Sequence, residues 1–443
     1  MNDEPALPSC LSKPQRALEE RLSHRPELLA RLHHLIDTLD QSIPDGSDAH
    51  AAEERVIEEL RQLGQDILGR WAHEAAAHAQ AQVRRQHPQA IQHGKKKLLK
   101  WQTTFGWITV EETQWRLGRR GAVLRPFCTR AAVAPRGTSR RLQRVLVDFG
   151  AEESFARAVQ RVREHYGVAV ALGRLRRHTL AHGAQMSALV VPPPKVAAAV
   201  LITQMDGSLI PIVTPTAHGA DRRKGKQLHW REVRLCLARE QESVTARYGA
   251  TLGSVGVAGT LWRQTALAAG LGERTRVHGV GDGADWITAQ FQEQFGQQGH
   301  YLVDFWHVSE YLGAAATVIQ PAQAQTWRRR QQGRLLENNC SGVLRALAPH
   351  LEPETQEEAP VRAAQRYLSG RREQLDYAGA RAAGLPIGSG EVESGHRHVI
   401  QQRLKLAGCW WKENNAEAML GLRVARANQR WDSYWNHPKP TLN

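Results

Sequence analysis

The chain has 443 residues, with 59 Lys and Arg against 44 Asp and Glu, a formal net charge of +15 and a pI near 10.0. That length allows two or three domains with an ample core, and that charge favours a polyanionic partner through phosphate contacts and counterion release. No apolar run approaches the roughly 20 residues a membrane span needs, and the five scattered cysteines include no Cys-x-x-Cys pair, which argues against a disulfide framework or a Cys-based zinc site.

The first ten residues, MNDEPALPSC, are acidic and lack the basic-then-apolar order of a secretory signal, so the expectation is a soluble protein of the reducing cytoplasm. Residues 1–92 read as a helical region. Leu28, Leu32, Leu35, Ile36 and Leu39 form one stripe behind Pro26. Val56, Leu60, Leu63, Ile67 and Trp71 form another, of the kind that packs into a core or along a partner helix.

Residues 93–191 change character. β-branched and aromatic residues flank Phe105-Gly106 and predict a β-hairpin with a basic approach. Lys95, Lys96 and Lys97, with Lys100, are placed to lie along phosphates or simply to form a solvated face. A helix over about 154–165, a Tyr-Gly-Val turn and a second helix carrying Arg174, Arg176, Arg177 and His178 fit a helix-turn-helix, the second helix being the DNA reader. Pro192-Pro193-Pro194 then stiffens a connection and marks a domain boundary.

From residue 195 to about 436 the pattern is α/β. VAAAVLITQMDGSLIPIVTP reads as two strands joined at Asp206-Gly207, and EVRLCLARE as a third. TRVHGVGDGADWITAQFQEQFG and GHYLVDFWHVSEYL each read as a strand running into a helix. Residues 313–384 look helical and polar, with a basic cluster at Arg328, Arg329 and Arg330. A last helix starts after Gly390 and continues into NNAEAMLGLRVARANQRW.

Three acidic positions share this context. Asp206 and Asp282 sit near strand ends, and Glu391 and Glu393 open a distant helix after LPIGSG, where Gly388 and Gly390 suggest a turn with positive φ. Three carboxylates converging on one sheet edge are hard oxygen donors suited to Mg²⁺ or Mn²⁺ and to phosphodiester chemistry. Taken singly, Asp206 also fits a hairpin turn, and Asp282 or Asp285 a helix cap.

Five segments carry a resemblance: QMDGSLIPI, VGDGADWI, LVDFWHVSEYL, LPIGSGEVESGHRHVIQQRLKLAGCWW and NNAEAMLGLRVARANQRWDSYW. The chain resembles the ISKra-type insertion-sequence transposases, bacterial relatives of the Mutator class, over about residues 95–436. The resemblance implies an α/β ribonuclease H-like catalytic core with a helical insertion, after a mainly α-helical DNA-binding region with a β-hairpin. It implies Asp206, Asp282 and Glu393 as a DDE triad holding Mg²⁺ or Mn²⁺. It also implies cleavage and joining at the element's own terminal inverted repeats and a target duplex, with a homodimer expected in the synaptic complex on the nucleoid.

Asp304-Phe-Trp-His307 stands where the Mutator class has a Cys-or-Asp, two residues and a His, a motif that would orient a catalytic carboxylate or contact the flanking phosphate or scissile strand. The other reading is an Asp capping a helix beside a satisfied His. Arg397 falls on the face of Glu393, placed to hold that carboxylate or to meet a phosphate. Trp306, Trp410 and Trp411 are candidates to stack on an unpaired base or to fill the core. Many relatives carry cysteine pairs around residues 115–130. Here only Cys128 stands there, so a zinc-stabilised subdomain is not implied. The other readings are a ribonuclease H-like nuclease that cuts without joining and a non-catalytic DNA-binding protein derived from a transposase.

Overall fold

The computed structural model describes residues 13–42, 48–189, 192–194, 196–215 and 225–436. They divide into two compact units, the first taking in residues through Gly150 and Phe155–His178, the second Ala151–Ser154 and Thr179 onward. The division falls inside a helix, ahead of the three prolines.

The first unit opens with helices α1 (Lys13–Ser23), α2 (Pro26–Ser42) and α3 (Ala49–Gln86). Asp48 caps α3 by accepting from the Ala51 N–H. Only the C-terminal half of α3 is buried, through Ala72, Ala76, Ala79 and Val83, whose small side chains allow close approach. Val56, Leu60, Ile67 and Trp71 of the expected stripe remain exposed.

Short strands β1 (Ala90–Gln92), β4 (Trp115–Leu117) and β5 (Val123–Leu124) form one sheet, and β2 (Lys97–Thr103) and β3 (Gly106–Glu112) the expected hairpin. Leu99, Trp101, Ile108 and Val110 of the hairpin pack with Ala72, Ala76 and Phe127 of α4 (Pro126–Ala131). Cys128 donates to the buried Glu112 carboxylate, and burial together with that carboxylate pushes its thiol up to about 12.

Helices α5 (Arg140–Glu152), α6 (Phe155–Tyr166) and α7 (Leu172–Ser187) follow. Leu142, Val145, Leu146, Ala158, Val162 and Leu175 form a core among them. The two-helix reading of 154–178 is therefore part of a three-helix cluster.

The second unit is built on a five-stranded sheet of order β10-β9-β6-β7-β8, from β6 (Val200–Pro215), β7 (Lys226–Glu240), β8 (Arg247–Thr251), β9 (Arg276–Gly281) and β10 (Gly299–Val303). β7 is antiparallel to both of its neighbours, β6 and β8, whereas β9 and β10 run parallel to β6. The expected hairpin at Asp206-Gly207 is overturned. β6 pairs with β7 without interruption from Leu201 to Pro215, and Asp206 lies in mid-strand opposite Leu235. Asp-Gly resembles a turn locally, but two long β-branched and apolar flanks favour a continuous ladder.

Crossover helices α8 (Val255–Ala268) and α9 (Asp285–Phe295) cover one face. Strand alternation sends Leu201, Thr203 and Met205 of β6, Val277 of β9 and Tyr301 and Val303 of β10 to that face, where Trp262, Phe291 and Phe295 meet them. After α10 (Phe305–Ile319) come the helices α11 (Ala324–Leu336), α12 (Cys340–Leu347), α13 (Pro360–Ser369) and α14 (Tyr377–Ala382), in the segment read as a helical insertion.

The last expected helix is broken. It consists of α15 (Gly390–Gly395), a π-helical turn His396–Gln401 and α16 (Gln402–Leu404). Then come a turn with Gly408 at φ 71° and, separately, α17 (Glu413–Ala427) and α18 (Trp431–Asn436). Among the described residues no helix is long and apolar enough to cross a membrane.

Trp262 is fully buried at the centre of this core, with its indole N–H on the Thr203 hydroxyl. Trp262→Ala should cost about 3–5 kcal/mol in chemical denaturation of the chain, and a loss under about 1 kcal/mol would contradict the packing described.

Candidate active site

The parallel register fixes where the acids stand. Gln204 of β6 is opposite Val280 of β9, so two residues further along both strands Asp206 and Asp282 are level. Val303 of β10 is opposite Gly281, so Asp304 is level with Asp282. Three aspartates thus share one edge, at the C-terminal ends of β9 and β10. Alternation sends them, together with Gln204 and His278, to the face away from α8 and α9.

That face holds the loop before α15. His278 Nε2 lies 2.8 Å from the Pro386 carbonyl, and the Phe305 N–H donates to Ile387. The Gln204 amide donates weakly to the Gly388 carbonyl and accepts from the Val392 N–H at 2.9 Å. Asp304 is buried and its carboxylate is saturated. Oδ1 accepts from the Trp306 and His307 N–H groups, and Oδ2 accepts from the Ser389 N–H at 2.6 Å and the Ser389 hydroxyl at 2.5 Å. Asp304 therefore caps α10, one of the roles expected for it, and also ties down the loop that leads to α15. Hydrogen bonds to a charged acceptor are each worth about 1.5–3 kcal/mol net, which makes this the firmest join between loop and sheet.

At Gly388 space matters rather than backbone sign, whereas a Cβ on Gly390 would meet no neighbour. Gly388 and Gly390 do not have positive φ, contrary to expectation. A Cβ on Gly388 would sit 2.9 Å from the Trp306 ring, so that position needs glycine for close approach.

α15 then presents its acids in opposite directions. Glu391 forms a two-pronged ion pair with Arg239 of β7, at 2.6 and 2.8 Å, rather than facing solvent or serving the helix dipole alone. Glu393 is exposed, and no hydrogen bond or ion pair joins it to Arg397, which is also exposed. The expected Arg397–Glu393 contact is therefore not made.

One turn on from Glu393, His396 is buried, with Nε2 3.4 Å from Asp206 Oδ2, and neither ring nitrogen has a hydrogen-bond partner among the described residues. Burial holds its imidazole down to about 4.

Asp206 accepts from the Gly207 N–H, and Asp282 Oδ1 from the Ala284 N–H, so each keeps an oxygen free of backbone donors. Ala284, not Asp282 or Asp285, occupies the N-cap position of α9. Burial, followed by the charges of Asp282, Glu393 and Glu232, lifts the Asp206 carboxyl to about 6. Two acids of the expected triad, Asp282 and Glu393, thus bear electrostatically on the third, Asp206. Among the described residues, no group of three or more His, Cys, Asp or Glu is gathered closely enough to hold a metal ion by itself.

His307 is half-buried, 3.7 Å from Glu310 and edge-on to Tyr311 and Tyr367. Trp306 and Trp410 are exposed, whereas Trp411 is buried with its indole N–H on the Leu404 carbonyl, which removes it from the stacking candidates. Lys95, Lys96 and Lys97 are exposed, as are Arg176, Arg177, Arg329 and Arg330. Arg174 is different. It donates to Gln102 and lies 4.8 Å from the Trp107 ring centre, bracing the β2–β3 hairpin. Arg328 lies against Gly313 of α10.

Sequence reasoning missed Gln204, His278, Ser389 and His396. For the first two a signal existed, since a polar residue two before Asp206 and another four before Asp282 share the carboxylates' strand face.

The signature of an uncharacterised protein family (UPF0236) matches residues 272–434, a span that includes Asp282, Asp304 and Glu393 but not Asp206. Comparison with curated proteins gives no match.

The lifted Asp206 sets a pH dependence. The folded chain keeps a proton that the unfolded chain, titrating near 3.8, has lost, so stability falls as pH rises from about 4 to about 6 and stays lowered above that. Asp206→Asn in cation-free protein should therefore raise Tm at about pH 8 and raise it less at about pH 5. An equal or opposite change at the two pH values in thermal melts would contradict this electrostatic description.

Proposed function

We propose that the chain is a DDE-type DNA transposase whose second unit is a ribonuclease H-like catalytic core. The observation that carries this reading is the levelling of Asp206 and Asp282 on one face of adjacent parallel strands, with the helix of Glu393 tied to that face by Gln204. The mixed sheet, three antiparallel strands followed by two parallel ones, and the helical segment between Asp282 and Glu393 support the same reading.

The donor set fits Mg²⁺ or Mn²⁺. Asp206, Asp282 and Glu393 offer only hard carboxylate oxygens, and Glu393 is free of competing partners among the described residues. When bound, the divalent cation activates an attacking oxygen and stabilises a leaving one in phosphodiester cleavage and strand transfer. Asp206 and Asp282 hold that charge on the sheet edge. Glu393 approaches it from α15, and Asp304 and Ser389 fix the angle of that approach. Arg239 draws Glu391 away, so one acid of the pair is committed inward.

The net charge of +15 supports double-stranded DNA as partner, the terminal inverted repeats and a target duplex. The exposed Arg176 and Arg177 of α7 are the residues assigned to reading those ends, after the three-helix cluster. A homodimer holding two ends belongs to the same proposal.

Asp206→Asn, Asp282→Asn and Glu393→Gln should each abolish Mg²⁺-dependent cleavage of end-repeat DNA while gel-shift binding is retained, and Glu391→Gln should keep cleavage. Cleavage in excess chelator, or the reverse ranking of the two glutamates, would overturn this assignment. Joining of the cleaved end to a target duplex separates a transposase from a nuclease that only cuts, and DNA binding with no cleavage at all would indicate a non-catalytic derivative.

Replacing Arg176 and Arg177 with Ala should weaken end binding and flatten its salt dependence by about one ion for each phosphate the arginines had neutralised. Unchanged affinity at several salt concentrations would move end recognition elsewhere.

A further inference from the structure

We propose that Tyr367 and Arg371, from the inserted helical segment, are positioning residues for Asp282. The inference rests on the reading of Asp282 as a cation ligand. The carboxylate of Asp282 is aimed by a turn, residues 282–284, in which its Oδ1 accepts from the Ala284 N–H. Gly283 in that turn has φ 75°. Wherever that turn moves, the carboxylate moves with it.

Two backbone carbonyls of the turn, those of Asp282 and Gly283, are held from outside it. The Tyr367 hydroxyl donates to the Asp282 carbonyl. Arg371 donates to the Gly283 carbonyl through Nε at 2.9 Å and a terminal nitrogen at 2.8 Å, and that terminal nitrogen also lies 3.3 Å from Asp285. A Cβ on Gly283 would sit 2.7 Å from Arg371 Nε, so guanidinium and turn are fitted against each other. β10 contributes one weaker tie, from the Gly283 N–H to the Tyr301 hydroxyl at 3.4 Å.

The two holding residues brace each other. The Arg371 guanidinium lies 4.3 Å from the Tyr367 ring centre, and Tyr367 stacks on Tyr311 of α10 at 4.3 Å. His307 packs edge-on against both tyrosines. An aromatic stack thus runs from α10 to the turn, which gives the half-buried His307 an indirect role. Asp206 is set within the sheet ladder, whereas Asp282 stands one residue beyond its strand and depends on a grip supplied some 85 residues later in the chain. Outer contacts that orient a ligand typically change metal affinity about 10–100-fold when removed.

The test is Mn²⁺ binding to the full-length chain without DNA, read as free Mn²⁺ by electron paramagnetic resonance, with Tm measured in parallel. Arg371→Ala should weaken binding about 10-fold or more, and Tyr367→Phe by a smaller factor. Arg371→Lys should recover part of the loss, because one ammonium replaces one of two donors. If Arg371→Ala does not fold, Tyr367→Phe decides, since it loses only the hydroxyl and keeps the ring on Tyr311. Wild-type Mn²⁺ affinity in Arg371→Ala and Tyr367→Phe, with binding abolished by Asp282→Asn, would overturn the positioning role and leave the carboxylate assignment intact. Equal Mn²⁺ binding by the wild type and Asp282→Asn would overturn both.

Discussion

The second unit depends on one buried carboxylate. Asp304 gives all of its acceptor capacity to backbone and hydroxyl donors, two at the start of α10 and two at Ser389. A buried charge is tolerable only when fully hydrogen-bonded, and this one is. Without it, the segment 386–392 would rest on Gln204, His278, one backbone contact and the Arg239–Glu391 ion pair. With it, strands β6, β9 and β10 each supply a grip on a segment nearly 200 residues from β6 in sequence, and the helix of Glu393 has one place to go. Gly388 completes the fit by letting Trp306 lie against the loop.

This rigidity sets up an electrostatic conflict. Asp206 resists ionisation on a partly buried edge, first because it is buried and then because the charges of Asp282, Glu393 and Glu232 lie near it. Such like-charge arrangements cost stability in the absence of a cation and favour binding one. His396 sharpens the picture. A neutral imidazole beside Asp206 neither neutralises the acid nor competes for it as an ion-pair partner would. Glu391, by contrast, is neutralised by Arg239, and that pairing distinguishes the two glutamates of a single short helix.

Much of this was legible in the sequence. The strand-to-helix order after Arg276 and the β2–β3 hairpin follow from composition and periodicity, whereas the choice of Glu393 over Glu391 rests on the family resemblance. The α/β pattern after the prolines is there too. What could not be read depends on long-range partners. Asp206-Gly207 has the local form of a turn, and only pairing with β7 makes it mid-strand. Arg174 belongs to a basic helix in sequence and to Trp107 in space. The π-helical turn at His396–Gln401 has no local breaker to announce it. Tyr367 and Arg371 lie in a helical segment whose periodicity says nothing of the turn they hold. The apolar stripe of α3 is visible in the sequence, yet Val56, Leu60, Ile67 and Trp71 stay exposed, and along the same stretch the polar Arg61 and Gln65 bond the hairpin carbonyls of Phe105 and Trp107.

Anomalous scattering from crystals of the chain soaked in a manganese salt would place the cation. The proposed assignment predicts a peak between the carboxylates of Asp206 and Asp282, on the face that carries α15, and its disappearance in Asp282→Asn crystals grown and soaked identically. Manganese bound elsewhere with that edge empty, or a peak that persists in Asp282→Asn, would contradict the assignment of this sheet edge as the catalytic centre.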